Sequence, residues 1–403
     1  MSTGFDKADV DAMSLTPGAH EHEHEHAPPD VAAPDADRAG GGSGRLATMI
    51  ETVVLYVACI AAALALSAVL VTVTDGDAAA VFAALLDGSV RGPGRIGVTI
   101  GVAIPLLLVA LGTIVATRAG LVNIGQEGQL FLGAAFAAYV GTELAAPGPV
   151  VICALMVAGA VGGALWAGIA GVLKYRRNVP EVLTTLLLVT VGTQLVGYGL
   201  KNEWLLLSPA EGRANRQQIS EQLAPDDRIP RMTLFGNVFP TSALLAIAMM
   251  VLVGVVLSAT VWGFRVRMLG QNPRTAQRAG VAASRYGGAA MLISGGFAGL
   301  AGAAMLAGGD FGNYTLVPGF PSNIGWTGLL VALVARQRVA AALVAAVVFA
   351  SLRTGSGFLA ATGVERRITD VVQGLLVLAL LIPPALLFLR ARRREIAAAG
   401  DRA

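Results

Sequence analysis

Stretches of about twenty mostly apolar residues recur along nearly the whole of this 403-residue chain, and that recurrence decides its class of fold. Twenty residues is the length at which an α-helix crosses the hydrocarbon core of a bilayer, where every backbone polar group must find its partner inside the segment. The runs are Ala47 to Val73, Ile96 to Thr117, Leu121 to Val140, Val150 to Leu173, Val182 to Leu200 and Ser242 to Gly263. They continue with Gly287 to Ala307, the shorter Gly325 to Ala335 and Val339 to Leu352, and Ile368 to Leu389. The expected fold is therefore all-α, a polytopic membrane protein of about ten transmembrane helices. Only 14% of the residues are charged, against roughly a quarter in soluble domains.

Lys and Arg in short connections prefer the cytoplasm. The basic clusters are Lys174, Arg176 and Arg177, then Arg265 to Arg285, then Arg336 and Arg338, and lastly Arg390 to Arg394. With ten spans and both termini inside, all of these fall on one side, and Lys201 to Thr241 becomes an external loop. Residues 1–45 carry Asp, Glu, Pro and Gly without hydrophobic period and close on a Gly-rich linker, so they read as a disordered cytoplasmic tail preceding a membrane domain over 46–395 and a short tail over 396–403. The tail has neither the basic start nor the apolar middle of a signal peptide. Its histidines alternate with glutamates from His20 to His26, a string that solvates easily and holds a metal ion only loosely. Cys59 and Cys153 lie singly in apolar runs, without metal-ligand spacing. No metal site, resident cofactor or nucleic-acid partner is expected.

From Arg118 to Gly133 the chain reads R-A-G-L-V-N-I-G-Q-E-G-Q-L-F-L-G, placing Asn123, Gln126, Glu127 and Gln129 among glycines inside apolar sequence. A carboxylate at membrane depth marks a functional site, because it must face protein or water to persist there. The same residues also suit a solvated tight turn between two spans. The string N-I-G-x-x-G occurs at Asn123 to Gly128 and again at Asn323 to Gly328. In a ten-span count these open the third and eighth spans, matching places in two inverted five-helix halves, the pattern of a transporter whose substrate site lies near the midplane. A chance match in a glycine-rich chain is the other reading.

Enzymatic chemistry has little to work with here. No histidine lies beyond the tail to serve a serine nucleophile, and no G-x-x-x-x-G-K-[ST] phosphate loop occurs, so the chain is expected to be no enzyme and to hydrolyse no ATP itself. Between the sixth and seventh spans, residues 264–286 contain R-M-L-G-Q-N-P-R-T-A-Q-R-A-G-V. Asn272 is placed to cap a short helix, Pro273 fits its first turn and Gly280 ends it. Such a helix docks into a partner's groove or rests on lipid headgroups.

Several blocks resemble one family. G-L-V-N-I-G-Q-E-G-Q-L-F-L-G-A at Gly120 to Ala134 is similar to the signature of the integral membrane subunits of bacterial ABC importers for simple sugars and nucleosides. G-Q-N-P-R-T-A-Q-R-A-G-V at Gly270 to Val281 resembles that family's cytoplasmic coupling segment, while P-E-V-L-T-T-L-L-L at Pro180 to Leu188 and T-D-V-V-Q-G-L-L-V-L at Thr369 to Leu378 are similar to two further blocks. Pro180, Thr190 and Thr327 stand where the family commonly carries Asn, Asn and Asp, which leaves the cargo open between nucleoside and sugar. The resemblance implies a permease in the bacterial plasma membrane, paired with a shorter paralogous permease, driven by cytoplasmic ABC ATPase subunits that bind ATP and Mg, and fed by an external substrate-binding lipoprotein.

On that reading the substrate pathway draws on Asn123, Gln126, Glu127, Gln129, Glu181, Thr184, Thr185, Asn323 and Trp326. Coupling to the ATPase draws on Gly270, Asn272, Pro273, Arg274, Ala276, Arg278 and Gly280. Two alternatives stay open at this point: a proton-coupled secondary transporter using Glu127 or Glu181, and a structural membrane scaffold.

Overall fold

The computed structural model describes residues 43–73, 77–208, 218–234, 236–309, 311, 313–320 and 323–359, with isolated positions between 371 and 390. The chain divides into Met1–Ile50 and Glu51–Ala403, and of the first unit only the opening turns of one helix are described. The acidic tail with its histidines, the C-terminal tail, and most of the Thr369 to Leu378 block and of the run from Ile368 to Leu389 lie outside the described residues.

Helix α1 (Ser43–Val73) begins before the expected Ala47, inside the Gly-rich linker. It is followed by α2 (Ala78–Leu86), which runs into a π-helical turn at Asp87–Arg91, and then by α3 (Arg95–Arg118), α4 (Gln126–Glu143), α5 (Gly148–Arg177) and α6 (Glu181–Gly199). The connection beyond holds a 3-10 turn at Pro225–Asp227 and an antiparallel hairpin of β1 (Arg231–Leu234) and β2 (Asn237–Pro240), an addition to the all-α expectation. Then come α7 (Ser242–Ala259), α8 (Val261–Gln271), α9 (Pro273–Arg278), α10 (Ala283–Gly308), α11 (Ile324–Val334) and α12 (Val339–Leu359). Helices α1, α3, α5, α6, α7, α10 and α12 are long and apolar enough to cross a membrane, while α11 is apolar but short. Every expected run from Ala47 to Leu352 overlaps a helix, but α4 is not among the seven, so the expected count of about ten spans is not reached among the described residues.

Two runs differ from expectation, each for a local reason. The run from Leu121 is extended until Gln126, where α4 starts, because Gly120 turns the chain with a φ of 75° and the Asn123 side chain accepts the Gly125 amide. The run Ser242 to Gly263 breaks at Thr260, which adopts extended backbone and caps α8 by accepting the Gly263 amide through its hydroxyl.

Helices α3, α4, α5 and α10 form the centre. Lipid supplies no hydrophobic force between apolar helices, so they hold together by close approach of small residues. Gly159 and Gly163 of α5 lie on Gly299 and Gly295 of α10, running antiparallel so that Tyr175 meets Gly287 further along. A Cβ on Gly163 would stand 2.7 Å from the Gly299 Cα.

The two ends of the bundle differ in charge. At one, the connection between α6 and α7 packs over the helix termini: the amides of Ser220, Leu223 and Ile229 donate to the carbonyls of Leu316, Tyr314 and Ala307, and Val238 lies against Gly97. At the other, Gly270 meets Gly120, Tyr175 meets Gly287, and the Arg118 guanidinium donates to the Gln337 carbonyl at 3.0 Å. Lys174 to Arg177, the arginines of α8 and α9, and Arg336 and Arg338 therefore share one end, as the charge pattern requires.

Replacing Gly299 by Ala forces a methyl into backbone and is expected to cost about 1–3 kcal/mol. Gly197 in α6 has nothing within 4 Å of its added carbon, so Gly197→Ala is expected to leave stability unchanged or higher. Thermal unfolding of the purified variants in one detergent checks the contrast.

Candidate functional site

The polar stretch at the start of α4 is deeply buried. Asn123, Gln126 and Gln129 are each 1% exposed and Glu127 5%, so a solvated turn is excluded and every polar atom there needs a protein partner. The Asn123 and Gln129 amides bond reciprocally: Asn123 Nδ2 donates to Gln129 Oε1 at 2.9 Å and Gln129 Nε2 donates to Asn123 Oδ1 at 3.0 Å. Asn123 Nδ2 also donates to Ser294 Oγ on α10 at 2.9 Å. Gln126 reaches α3, donating through Nε2 to the Val109 carbonyl at 3.1 Å and accepting the Thr113 hydroxyl at 2.8 Å. On the other flank the Ile124 amide donates to Thr185 Oγ1, and Gly125 lies against the Thr185 carbonyl of α6. A set of side chains at the start of α4 thus ties α3, α6 and α10 together, and its members are satisfied by one another.

Glu127 does something different. Its two carboxylate oxygens each accept a backbone amide, Asn323 on Oε1 and Gly325 on Oε2, both at 2.6 Å. These are orphan donors at the first turn of α11, which no residue of α11 itself can satisfy. An anion there also meets the positive end of the helix dipole. Gly325 sits directly on the Glu127 backbone, where a Cβ would come within 2.7 Å of the Glu127 Cα. The second N-I-G-x-x-G string therefore docks on the first, and the helices they open run toward opposite ends of the bundle. From Ile324 to Val334 α11 rises about 15 Å at 1.5 Å per residue toward Arg336 at the basic end, about half the thickness of a bilayer's hydrocarbon core.

The remaining expected positions make other contacts as well. Glu181 forms an ion pair with Lys174 at the basic end, apart from Glu127. The Thr184 hydroxyl donates to the Pro180 carbonyl, and that of Thr185 to the Glu181 carbonyl, within their own helix. Asn323 enters through its backbone, in left-handed conformation with a φ of 73°, and Thr327 steadies it by donating to its carbonyl at 2.6 Å. Trp326 is half-exposed on α11.

One polar residue that the sequence reading did not single out, Gln194, stands on α6. Gly192 presses against Leu132 of α4 and Gly128 presses against Val189, which fixes the inner face of α6. The outer face carries Leu187, Thr190, Gln194 and Tyr198, all exposed. Among the described residues the Gln194 side chain has no hydrogen-bond partner. It lies about 20 Å along α6, well inside the span, where an amide facing lipid is costly. The signal was its amide, which apolar window averaging hides.

The coupling segment has the expected form. Asn272 Oδ1 accepts the amides of Arg274 and Thr275 at 3.1 Å, Pro273 opens α9, and Gly280 closes it with a φ of 80° while the Val281 amide returns to the Ala276 carbonyl. Ala276 is fully buried; Arg274, Gln277 and Arg278 are exposed. Gly270 at the end of α8 lies on the Arg118 carbonyl and the Gly120 backbone, so this segment touches the corner from which the polar stretch departs.

Glu127→Gln keeps the shape but turns one acceptor into a donor facing a buried backbone amide. It is expected to destabilise the protein by about 1–3 kcal/mol, and Glu127→Ala by more, read as a lowered thermal midpoint in detergent.

A family model described as branched-chain amino acid transport system / permease component matches residues 96–381. The chain is 31% identical over 290 residues to a glucose ABC transporter permease protein of Haloferax volcanii, covering 69% of this chain and 74% of the relative. It is 29% identical over 316 residues to a guanosine ABC transporter permease protein of Bacillus subtilis, covering 78% and 89%. With a nucleoside ABC transporter permease protein of Lactococcus lactis it shares 26% over 292 residues, covering 72% and 79%. Each of the three organisms contributes two matching permease proteins. No solved structure matches the chain significantly. A match over most of its length, on a bundle of membrane-crossing helices, makes this chain a multi-pass member of the family of transport-system permease components.

Proposed function

We propose that the chain is one of two paired permease subunits of an ABC importer that carries a nucleoside or simple sugar across the bacterial plasma membrane. The relatives' printed cargoes, glucose, guanosine and nucleosides, support that substrate class. The observation that carries the mechanism is the contact of Gly270 with Arg118 and Gly120, because it joins a capped, exposed helix to the buried polar junction. Cytoplasmic ATPase subunits, binding ATP and Mg, grip α9 through Arg274 and Arg278. Their closure moves α8 and α9 as one piece, since the Asn272 amide bonds the Met268 carbonyl of α8 and the buried Ala276 packs inward. Gly270 then displaces the corner at Gly120, and the extended stretch Leu121 to Gly125 transmits the movement to Glu127 and the start of α11. No bond in the cargo is made or broken.

Asn123, Gln126, Glu127 and Gln129 frame the pathway in this reading, while the outer face of α6, with Thr190 and Gln194, forms its wall toward the paired permease. Thr184, Thr185 and Glu181 anchor the base of that wall, and Trp326 borders the hinge of α11. The basic end faces the cytoplasm, where both termini lie, and the connection over 201–241 receives an external binding lipoprotein. A proton-coupled carrier fits less well, because both oxygens of Glu127 hold backbone amides and Glu181 is paired with Lys174.

Asn272→Ala removes a helix cap worth about 1 kcal/mol and is expected to uncouple the complex, leaving ATPase activity but lowering cargo uptake at least several-fold in proteoliposomes. Uptake by the permeases without their ATPases would overturn the reading. Gln194→Leu is expected to lower uptake with unchanged thermal stability; equal uptake would remove α6 from the pathway. Titrating nucleosides and sugars against the cognate binding protein decides the cargo.

A further inference from the structure

Beside the coupling segment, on the flank of the α5 and α10 pair, lies a groove of ≈ 930 Å³ that neither coupling nor the pathway uses. Its walls are Leu165, Ile169 and Val172 of α5 and Leu292 of α10, all exposed, and Gly288, which has nothing within 4 Å of an added carbon, leaves its floor open. At the basic end it closes on Arg176 and Arg285, both exposed, with Ser284 between the helices. Neither arginine makes an ion pair among the described residues, and no acidic side chain lines the groove.

Length and charge together identify the occupant. From Arg176 to Leu165 the groove runs about 16 Å along α5, close to half the roughly 30 Å hydrocarbon core, so it spans one leaflet and stops. It offers an apolar channel for acyl chain in the membrane interior and two cations with a hydroxyl at the headgroup level. Basic pockets between helices at the cytoplasmic surface are suited to anionic lipid headgroups. We propose that this groove is a binding site for one anionic phospholipid of the leaflet at the basic end, its phosphate held by Arg176 and Arg285 and a chain lying over Gly288. Arg285 follows the coupling segment closely in sequence, and α10 leads directly to Ser294, so a lipid bound there steadies the first turns of the helix that backs the polar stretch. The proposal rests on the membrane placement of the bundle and not on the cargo.

The test uses the purified importer complex with its partner subunits. Native mass spectrometry of the complex, mixed with phosphatidylglycerol and phosphatidylcholine in equal amounts, reads retained lipid for the wild type, Arg176→Gln/Arg285→Gln and Gly288→Leu. With each cation contributing about fivefold at an anionic surface, the double variant is expected to retain phosphatidylglycerol roughly 30-fold more weakly. Gly288→Leu, which keeps both charges and fills the channel, is expected to lose it as well while the complex stays assembled. Equal retention of the two lipids by the wild type, or unchanged retention by both variants, overturns the proposal. So does cysteine cross-linking from position 292 to the paired permease in native membranes, which would make the groove a subunit interface. In vesicles without anionic lipid, cargo-stimulated ATPase activity should fall for the wild type and stay level for the double variant. Loss of uptake for every cargo with lipid retention intact would count against the transport reading and leave this site standing.

Discussion

A carboxylate holding the first turn of a helix inside the membrane is the interaction on which the rest of this bundle depends. In water the free amides at the start of α11 would bond to solvent; buried inside the bundle each one left unpaired costs about 1–3 kcal/mol. Glu127 meets two of them with its two oxygens, and the positive end of the α11 dipole offsets part of what it costs to bury the charge. A short helix can then end in the interior without water. Gly325 lets that helix start lie directly on the backbone of α4, so the bond cannot lengthen without moving either element.

Glu127 can hold this position only because α4 is itself held. The reciprocal amides of Asn123 and Gln129, with Ser294, Thr113 and the Val109 carbonyl, fix the start of α4 to α3 and α10. Low dielectric strengthens such a network when every member is paired and penalises any member that is not, which favours discrete arrangements over gradual ones. Close packing of α5 on α10 through Gly159, Gly163, Gly295 and Gly299 supplies a stiff backing. On the proposed coupling route, a movement arriving through Gly270 would be transmitted rather than absorbed, and the parts with fewer ties are the extended stretch from Leu121 and the outer face of α6.

Much of the coupling segment was legible residue by residue. Caps and stops act over three or four positions, so Asn272, Pro273 and Gly280 carry their own geometry and the structure adds only that Ala276 is the face turned inward. The polar stretch was legible as a place where something happens, since residue types that expensive do not persist in hydrocarbon without partners. Their partners were not legible. Ser294 is 171 residues from Asn123, and Gly325 is 198 from Glu127, distances over which no periodicity speaks. The structure adds that the side chains expected along a path are mostly engaged with each other, while Gln194, hidden in an apolar average, is an exposed amide on α6.

Hydropathy, charge and local capping patterns by themselves determined that this chain spans a membrane on many helices, which end carries the positive charge, and where the short helix from Pro273 starts and stops. These follow from the cost of moving groups between water and lipid and from bonds between near neighbours, and both are properties of short segments. Only the tertiary structure decided that the two matching strings meet, that one supplies the anion and the other the helix end it holds, and which face of α6 is left open. Those outcomes depend on how closely distant backbones approach, and that is set by glycines on separate helices acting in pairs.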